Sequence, residues 1–238
     1  MFSPDDTIVA IATPAGRGSL GVVRISGADA RDVAGRIISR AAPLVPRHAT
    51  FTRVRSSTSD SQRTVDEVIA TWFPAPHSYT GEHVVELSTH GSPVILQDVL
   101  KCAIEAGARL ARPGEFTFRA FLNGKLDLIQ AEAVADLIDA VTPLQVKVAF
   151  DQLEGTLTTK IAALDNRLLD LVARLGASLD FPDEGYHFIE PSAIACSVSR
   201  VIAELDALLA AAARGRIIRG GATVGIAGRP HVGKSSPF

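Results

Sequence analysis

The chain has 238 residues, room for one large domain or two ordinary ones. Its 47% apolar content permits a packed core, mainly aliphatic because aromatics are only 5%. A formal net charge of −2 excludes a globally basic surface, so any nucleic-acid contact must be local.

The N-terminal MFSPDDTIVA has neither the basic nor the apolar region of a secretory signal, and no stretch approaches the ~20 apolar residues of a membrane span. Residues 7–13 (TIVAIAT) are apolar and β-branched and end at Pro14, which predicts a strand. The loop PAGRGS separates them from a second strand, 20–26 (LGVVRIS), stopped by Gly27. Residues 28–40 place Val33, Ile37 and Ile38 on one helical face. The polar stretch 56–64 reads as a loop or hairpin tip, and 65–73 and 83–89 return to strand composition. Between them PAPHSYTGE, with two prolines and a glycine, argues against regular structure. A helix over 93–106 stops at Gly107. The first ~125 residues therefore read as a mixed α+β domain.

From Leu126 to Leu179 the apolar residues fall at helical spacings, with one break at VTPLQ. There Thr142 is placed to cap a new helix, Pro143 suits its first turn and Gln145 completes a capping box. That helix is expected to run unbroken through ARL and to end at DFPDEG; a third should span Ser192 to Arg214 and stop at Gly215. These segments read as an antiparallel bundle. Cys102 and Cys196, far apart and in helical contexts, read as reduced cytosolic thiols rather than a disulfide, and no histidine pattern supports zinc. Glu132, Asp136 and Asp139 share a helix face, where a solvated acidic surface is the expected reading over a metal site. Asp183 and Glu184 read as a helix-terminating turn, and His187 as packing or surface.

ATVGIAG, 222–228, reads as a short buried strand, and Gly228 to Ser235 (GRPHVGKS) fits G-x-x-x-x-G-K-S/T directly after it. Such a loop curls its backbone N–H groups around phosphate oxygens; Lys234 would reach the β- and γ-phosphates and Ser235 would hold Mg²⁺. Only Ser236, Pro237 and Phe238 follow in this sequence, so it holds no complete helix after the loop. Little or no GTP hydrolysis is accordingly expected from these residues alone.

Three stretches together resemble the MnmE/TrmE family of tRNA-modification GTPases: DTIVAIATPAGRGSLGVVRISG, SYTGEHVVELSTHGSP, and residues 111–140, ARPGEFTFRAFLNGKLDLIQAEAVADLIDA. FPDE at 181–184 and GIAGRPHVGKSS agree in order. The resemblance implies an α+β folate-binding, dimerising domain over 1–124, the first half of an α-helical bundle domain over 125–215, and the start of an α/β P-loop GTPase domain over 216–238. It implies a cytoplasmic enzyme that, with an FAD-dependent partner protein, adds a carboxymethylaminomethyl-type group to carbon 5 of the wobble uridine of certain tRNAs. GTP, Mg²⁺, K⁺ and 5-formyl-tetrahydrofolate are its implied cofactors. The family's folate positions match Arg24, Glu86 and Lys125, with Arg17, Thr80 and His90 in supporting roles. Taken alone, each of the first three would read as a surface ion pair; the motif match reverses that preference. Its GTP-binding positions match Gly228, His231, Val232, Gly233, Lys234, Ser235 and Ser236.

Departures are informative. His231 stands where the family has a potassium-binding asparagine, and a neutral imidazole is a poor ligand for a hard alkali cation. Ser92 replaces a usual glycine after Gly91, which is expected to narrow backbone freedom there. The competing expectations are a folate-binding dimer module without GTPase activity and a non-functional truncated gene product.

Overall fold

The structure, a computed structural model, describes residues 6–40, 42–56, 63–180 and 190–220. The chain divides into two compact units between Ala131 and Glu132.

The first unit is built on a six-stranded sheet. Its strands are β1 (Ile8–Ile11), β2 (Leu20–Ser26), β3 (Thr50–Arg55), β4 (Thr64–Phe73), β5 (Val84–His90) and β6 (Arg109–Leu110), in the order β3-β4-β5-β2-β1-β6. All neighbours pair antiparallel except β1 and β6. Helices α1 (Ala30–Ile37) and α2 (Pro93–Glu105) cover one face. Val9, Val23, Ile25, Val54, Val68, Val85 and Leu87 meet Val33, Ile37, Leu96 and Val99 there, each 4% exposed or less. Because strand residues alternate between faces, Val22, Arg24, Ile69, Thr71, Glu86 and Ser88 fall on the opposite face. Helix α3 (Glu115–Leu122) and the irregular segment 74–83 cover part of that second face.

The strands at 20–26, 65–73 and 83–89 and the helix at 93–106 form within a residue or two of expectation. Strands β3 and β6 and helix α3 were not foreseen. Ser92 is extended, with φ −87° and ψ 128°, at the N-cap of α2, so a side chain in place of glycine brings no strain.

The second unit is helical: the rest of α4 (Leu128–Asp139), then α5 (Pro143–Leu153), α6 (Thr156–Asp180) and α7 (Pro191–Gly220). The capping box forms as read: Gln145 N–H donates to Thr142 Oγ1 at 3.2 Å, and the Gln145 side-chain oxygen accepts from Thr142 N–H at 3.0 Å. Two expectations are corrected. The long second helix is two, because Gly155 takes φ +80°, a left-handed conformation that ends α5 before α6 begins. The third helix does not stop at Gly215 but continues to Gly220. An interior glycine costs only about 1 kcal/mol relative to alanine, too little to end a helix by itself. Cys102 is a buried free thiol and Cys196 an exposed one. Asp183, Glu184, His187 and the expected strand at 222–228 lie outside the described residues.

Candidate functional site

Arg24 and Glu86 stand opposite each other in the register of β2 and β5. Pairing of the strands thus brings together two side chains 62 residues apart. Arg24 Nε and Nη2 both lie 2.8 Å from Glu86 Oε1, at side-chain exposures of 27% and 28%. No donor among the described residues is placed on Glu86 Oε2. The Arg24 guanidinium carbon lies 5.2 Å from the centre of the Tyr79 ring and 5.7 Å from that of Phe116. Tyr79 comes from the segment before β5 and Phe116 from the first turn of α3; their elements are joined by Tyr79 Oη and Thr117 Oγ1, 2.8 Å apart. The result is a half-buried ion pair with two aromatic rings beside it and one carboxylate oxygen still open to a donor.

Lys125 follows the turn that ends α3, its N–H donating to Ala120 O at 2.8 Å. Its aliphatic stem lies over Gly81, where a Cβ would be 3.3 Å from Lys125 Cγ and 3.0 Å from Asn123 Cβ. Gly81 also has φ +80°, so both its conformation and its close neighbours require the missing side chain. Lys125 is exposed, and the Gly81 it lies over is two residues beyond Tyr79 in the same segment.

Behind the pair lies an ionic cluster that sequence patterning did not single out. Thr80 is buried, its Oγ1 2.7 Å from Ser26 Oγ, and Ser26 donates to Glu82 Oε2 at 2.7 Å. Arg119 Nη1 donates to both Glu82 oxygens, at 3.1 and 3.2 Å, and Nη2 to Glu115 Oε1 at 3.3 Å. Arg109 and the backbone N–H of Arg112 also donate to Glu115. Burial, the largest single influence, pushes the Glu115 carboxyl up; the Arg109 and Arg112 hydrogen bonds and the two guanidinium charges together outweigh it and hold it below the usual glutamate range. The hydrogen bond to Glu115 likewise holds Arg109 above the ordinary arginine value.

The other expected residues part company with this site. His90 Nδ1 pairs with buried Asp66 at 2.7 Å at the far end of β5, and Arg17 lies exposed in the loop after β1. Asp136 is not simply solvated but pairs with Arg219 at 2.7 Å, while Glu132 and Asp139 are exposed. No cluster of metal-ligating side chains occurs among the described residues, and none of their helices is long and apolar enough to cross a membrane. Gly228, His231, Val232, Gly233, Lys234, Ser235 and Ser236 lie outside the described residues.

Tyr79, Phe116 and Arg119 escaped the sequence reading although all three sit inside the motifs SYTGE and RPGEFTFRAF. The only signal available was an aromatic pair and an arginine within those motifs.

Comparison with known proteins agrees with this division. Residues 7–125 match the family model described as GTP-binding protein TrmE N-terminus, and residues 128–223 match that of the MnmE helical domain. A protein of Chromohalobacter salexigens named tRNA modification GTPase MnmE is 47% identical over 231 residues, 97% of this chain and 49% of that protein. The chain thus spans about half the length of this curated relative. With two consecutive domain matches and this level of identity, the chain belongs to the MnmE/TrmE family.

Proposed function

We propose that the first unit binds 5-formyl-tetrahydrofolate at Arg24, Glu86 and Lys125, and that the chain serves a tRNA-modification GTPase. The observation that carries the folate reading is the Arg24–Glu86 pair, half-buried beside Tyr79 and Phe116 with Glu86 Oε2 open. A reduced pterin offers ring N–H and amino donors that a carboxylate accepts, and a flat ring that packs against aromatic side chains. Its glutamate tail is anionic and suits Lys125 or a displaced Arg24. The donor set therefore fits the ligand. In this reading the ligand competes with Arg24 for Glu86. Glu86→Ala is expected to weaken binding by about 1–3 kcal/mol, through ring donors left without an acceptor. Equal calorimetric affinity for parent and variant would refute the assignment.

In the family's reaction the folate would supply the one-carbon unit for a carboxymethylaminomethyl-type group at carbon 5 of the wobble uridine (U34), made with an FAD-dependent partner in the cytoplasm. GTP would be held by the loop 228–236 with Mg²⁺ on Ser235, and His231 weighs against potassium at the usual position. The expected boundaries, 1–124, 125–215 and 216–238, belong to the same reading.

The open sheet face supports a homodimer. Phe51, Ile69, Ser88 and Val22 form one row across four strands, with Phe51 69% and Ile69 46% exposed. Apolar side chains in such a row are costly to leave in water. Sedimentation equilibrium at micromolar concentration is expected to give the dimer mass, and Phe51→Glu the monomer. A parent that stays monomeric overturns the dimer.

A further inference from the structure

The largest fully buried side chain among the described residues is a charged one, Arg119, whose side chain is 1% exposed. Glu115 is equally buried, and Glu82 is partly buried, at 18%. Taking such charges out of water costs several kcal/mol each, and well-packed apolar residues of similar volume often serve stability as well or better. The cluster therefore calls for an explanation in geometry. Its connections supply one. Ser26, which donates to Glu82, lies two residues from Arg24 on the same face of β2. Glu82 closes the short segment that carries Tyr79 and Gly81. Arg119 lies about one turn after Phe116 on α3, whose C-terminal turn delivers Asn123 and Lys125; Asn123 Nδ2 donates back to Thr80 O at 2.7 Å. The guanidinium fork of Arg119 thus ties its own helix to the loop at Glu82, and Glu82 extends the connection to β2 through Ser26, so that three elements carrying parts of the site are linked. A planar fork fixes direction as well as distance, which an apolar contact does not.

We propose that Arg119 is the positioning residue of this site: by bridging Glu82 and Glu115 it sets the spacing of Tyr79 and Phe116 around Arg24 and holds Lys125 over Gly81. Only the identity of the ligand rests on the folate reading.

The test separates positioning from stability, using the whole 238-residue chain. Arg119→Met leaves Glu82 without its cation and is expected to lower the Tm. Glu82→Gln with Arg119→Met removes one charge of each sign, while Glu115 keeps Arg109 and the Arg112 N–H. This double variant is expected to regain most of the Tm. Its affinity for 5-formyl-tetrahydrofolate should nonetheless stay about tenfold or more below the parent, ~1.4 kcal/mol. Amide hydrogen exchange should be faster over 78–83 and 115–125 and unchanged over 20–25. Glu82→Gln alone, in which Arg119 keeps Glu115, provides the same exchange comparison without any stranded carboxylate. Affinity and exchange that return to parental values together with the Tm would overturn the proposal. A parent that binds no folate would overturn the folate reading alone, and the exchange comparison would still decide the role of Arg119.

Discussion

The two units handle apolar surface in opposite ways. In the first, strand alternation delivers one dense apolar layer, and α1 and α2 bury it, leaving Val9, Val23, Ile25, Val85, Leu87 and Val99 at 0% exposure. In the second, the buried apolar side chains among the described residues are Ala133, Ala149, Leu164, Leu171 and Val201, while Ile138, Val141, Leu169, Val172 and Leu209 are 58–85% exposed. A sheet with helices on one face closes its own core. Helices apolar on more than one side need additional partners to do so.

The sharpest way to break this contrast is to remove core side chains from each unit. Leu87→Ala is expected to cost about 2–5 kcal/mol, the usual range for a buried leucine. Val172→Ala, at 66% exposure, should change stability by less than about 0.5 kcal/mol. Trp72, the only tryptophan, is 9% exposed in the core of the first unit, so its fluorescence reports that unit. Far-ultraviolet circular dichroism is dominated by the helices. In urea the dichroism transition should begin before the Trp72 transition. Coincident transitions, both shifted by Val172→Ala, would show that the units unfold as one and that the contrast is only apparent.

A smaller effect tests the same separation from the other side. The Thr142–Gln145 capping box is local to the start of α5. Thr142→Ala should remove about 1 kcal/mol from the helical transition and leave the Trp72 midpoint unchanged. A Trp72 midpoint that moves with the cap would mean that the helical unit supports the sheet.

The contrast also explains what could be read from sequence. Strands β2 and β5 and helix α2 were legible because their buried positions carry valine, isoleucine and leucine at the right period. Strand β3 hid because its buried face is Thr50, Thr52 and Val54 while Phe51 points outward. Helix α3 hid for a stronger version of the same reason. It buries Glu115, Arg119 and Ala120 and exposes Phe118, Phe121 and Leu122, so its hydrophobic period points the wrong way. The break at Gly155 was passed over because one glycine within helical periodicity does not reveal its φ. At the site, Arg24, Glu86 and Lys125 came from motif resemblance. Strand register alone, invisible in a single sequence, places Glu86 against Arg24.

That inverted helix also ties the first unit to pH. Glu115, 1% exposed, is held below its ordinary range by Arg109, the Arg112 N–H and Arg119, against the opposing effect of burial. A carboxylate depressed on folding stabilises the folded state fully above its unfolded value of about 4.3 and loses that contribution as pH falls through the lower folded value. The Trp72 urea midpoint of the parent should therefore drop as pH falls from about 5 to about 3. Other carboxylates titrate in the same window, so the informative quantity is the difference from Glu115→Gln. That variant should be less stable than the parent at neutral pH, because Arg119 and Arg109 lose a charged acceptor. The gap should narrow as the parent's carboxyl protonates, since both chains then carry a neutral group at this position. No other part of the sheet needs to change for this convergence. Parallel curves, with a constant gap down to about pH 3, would mean that Glu115 acts through packing rather than charge. The ionic description of the cluster, and with it the contrast between a unit organised partly by buried charge and one organised by apolar helices, would then have to be abandoned.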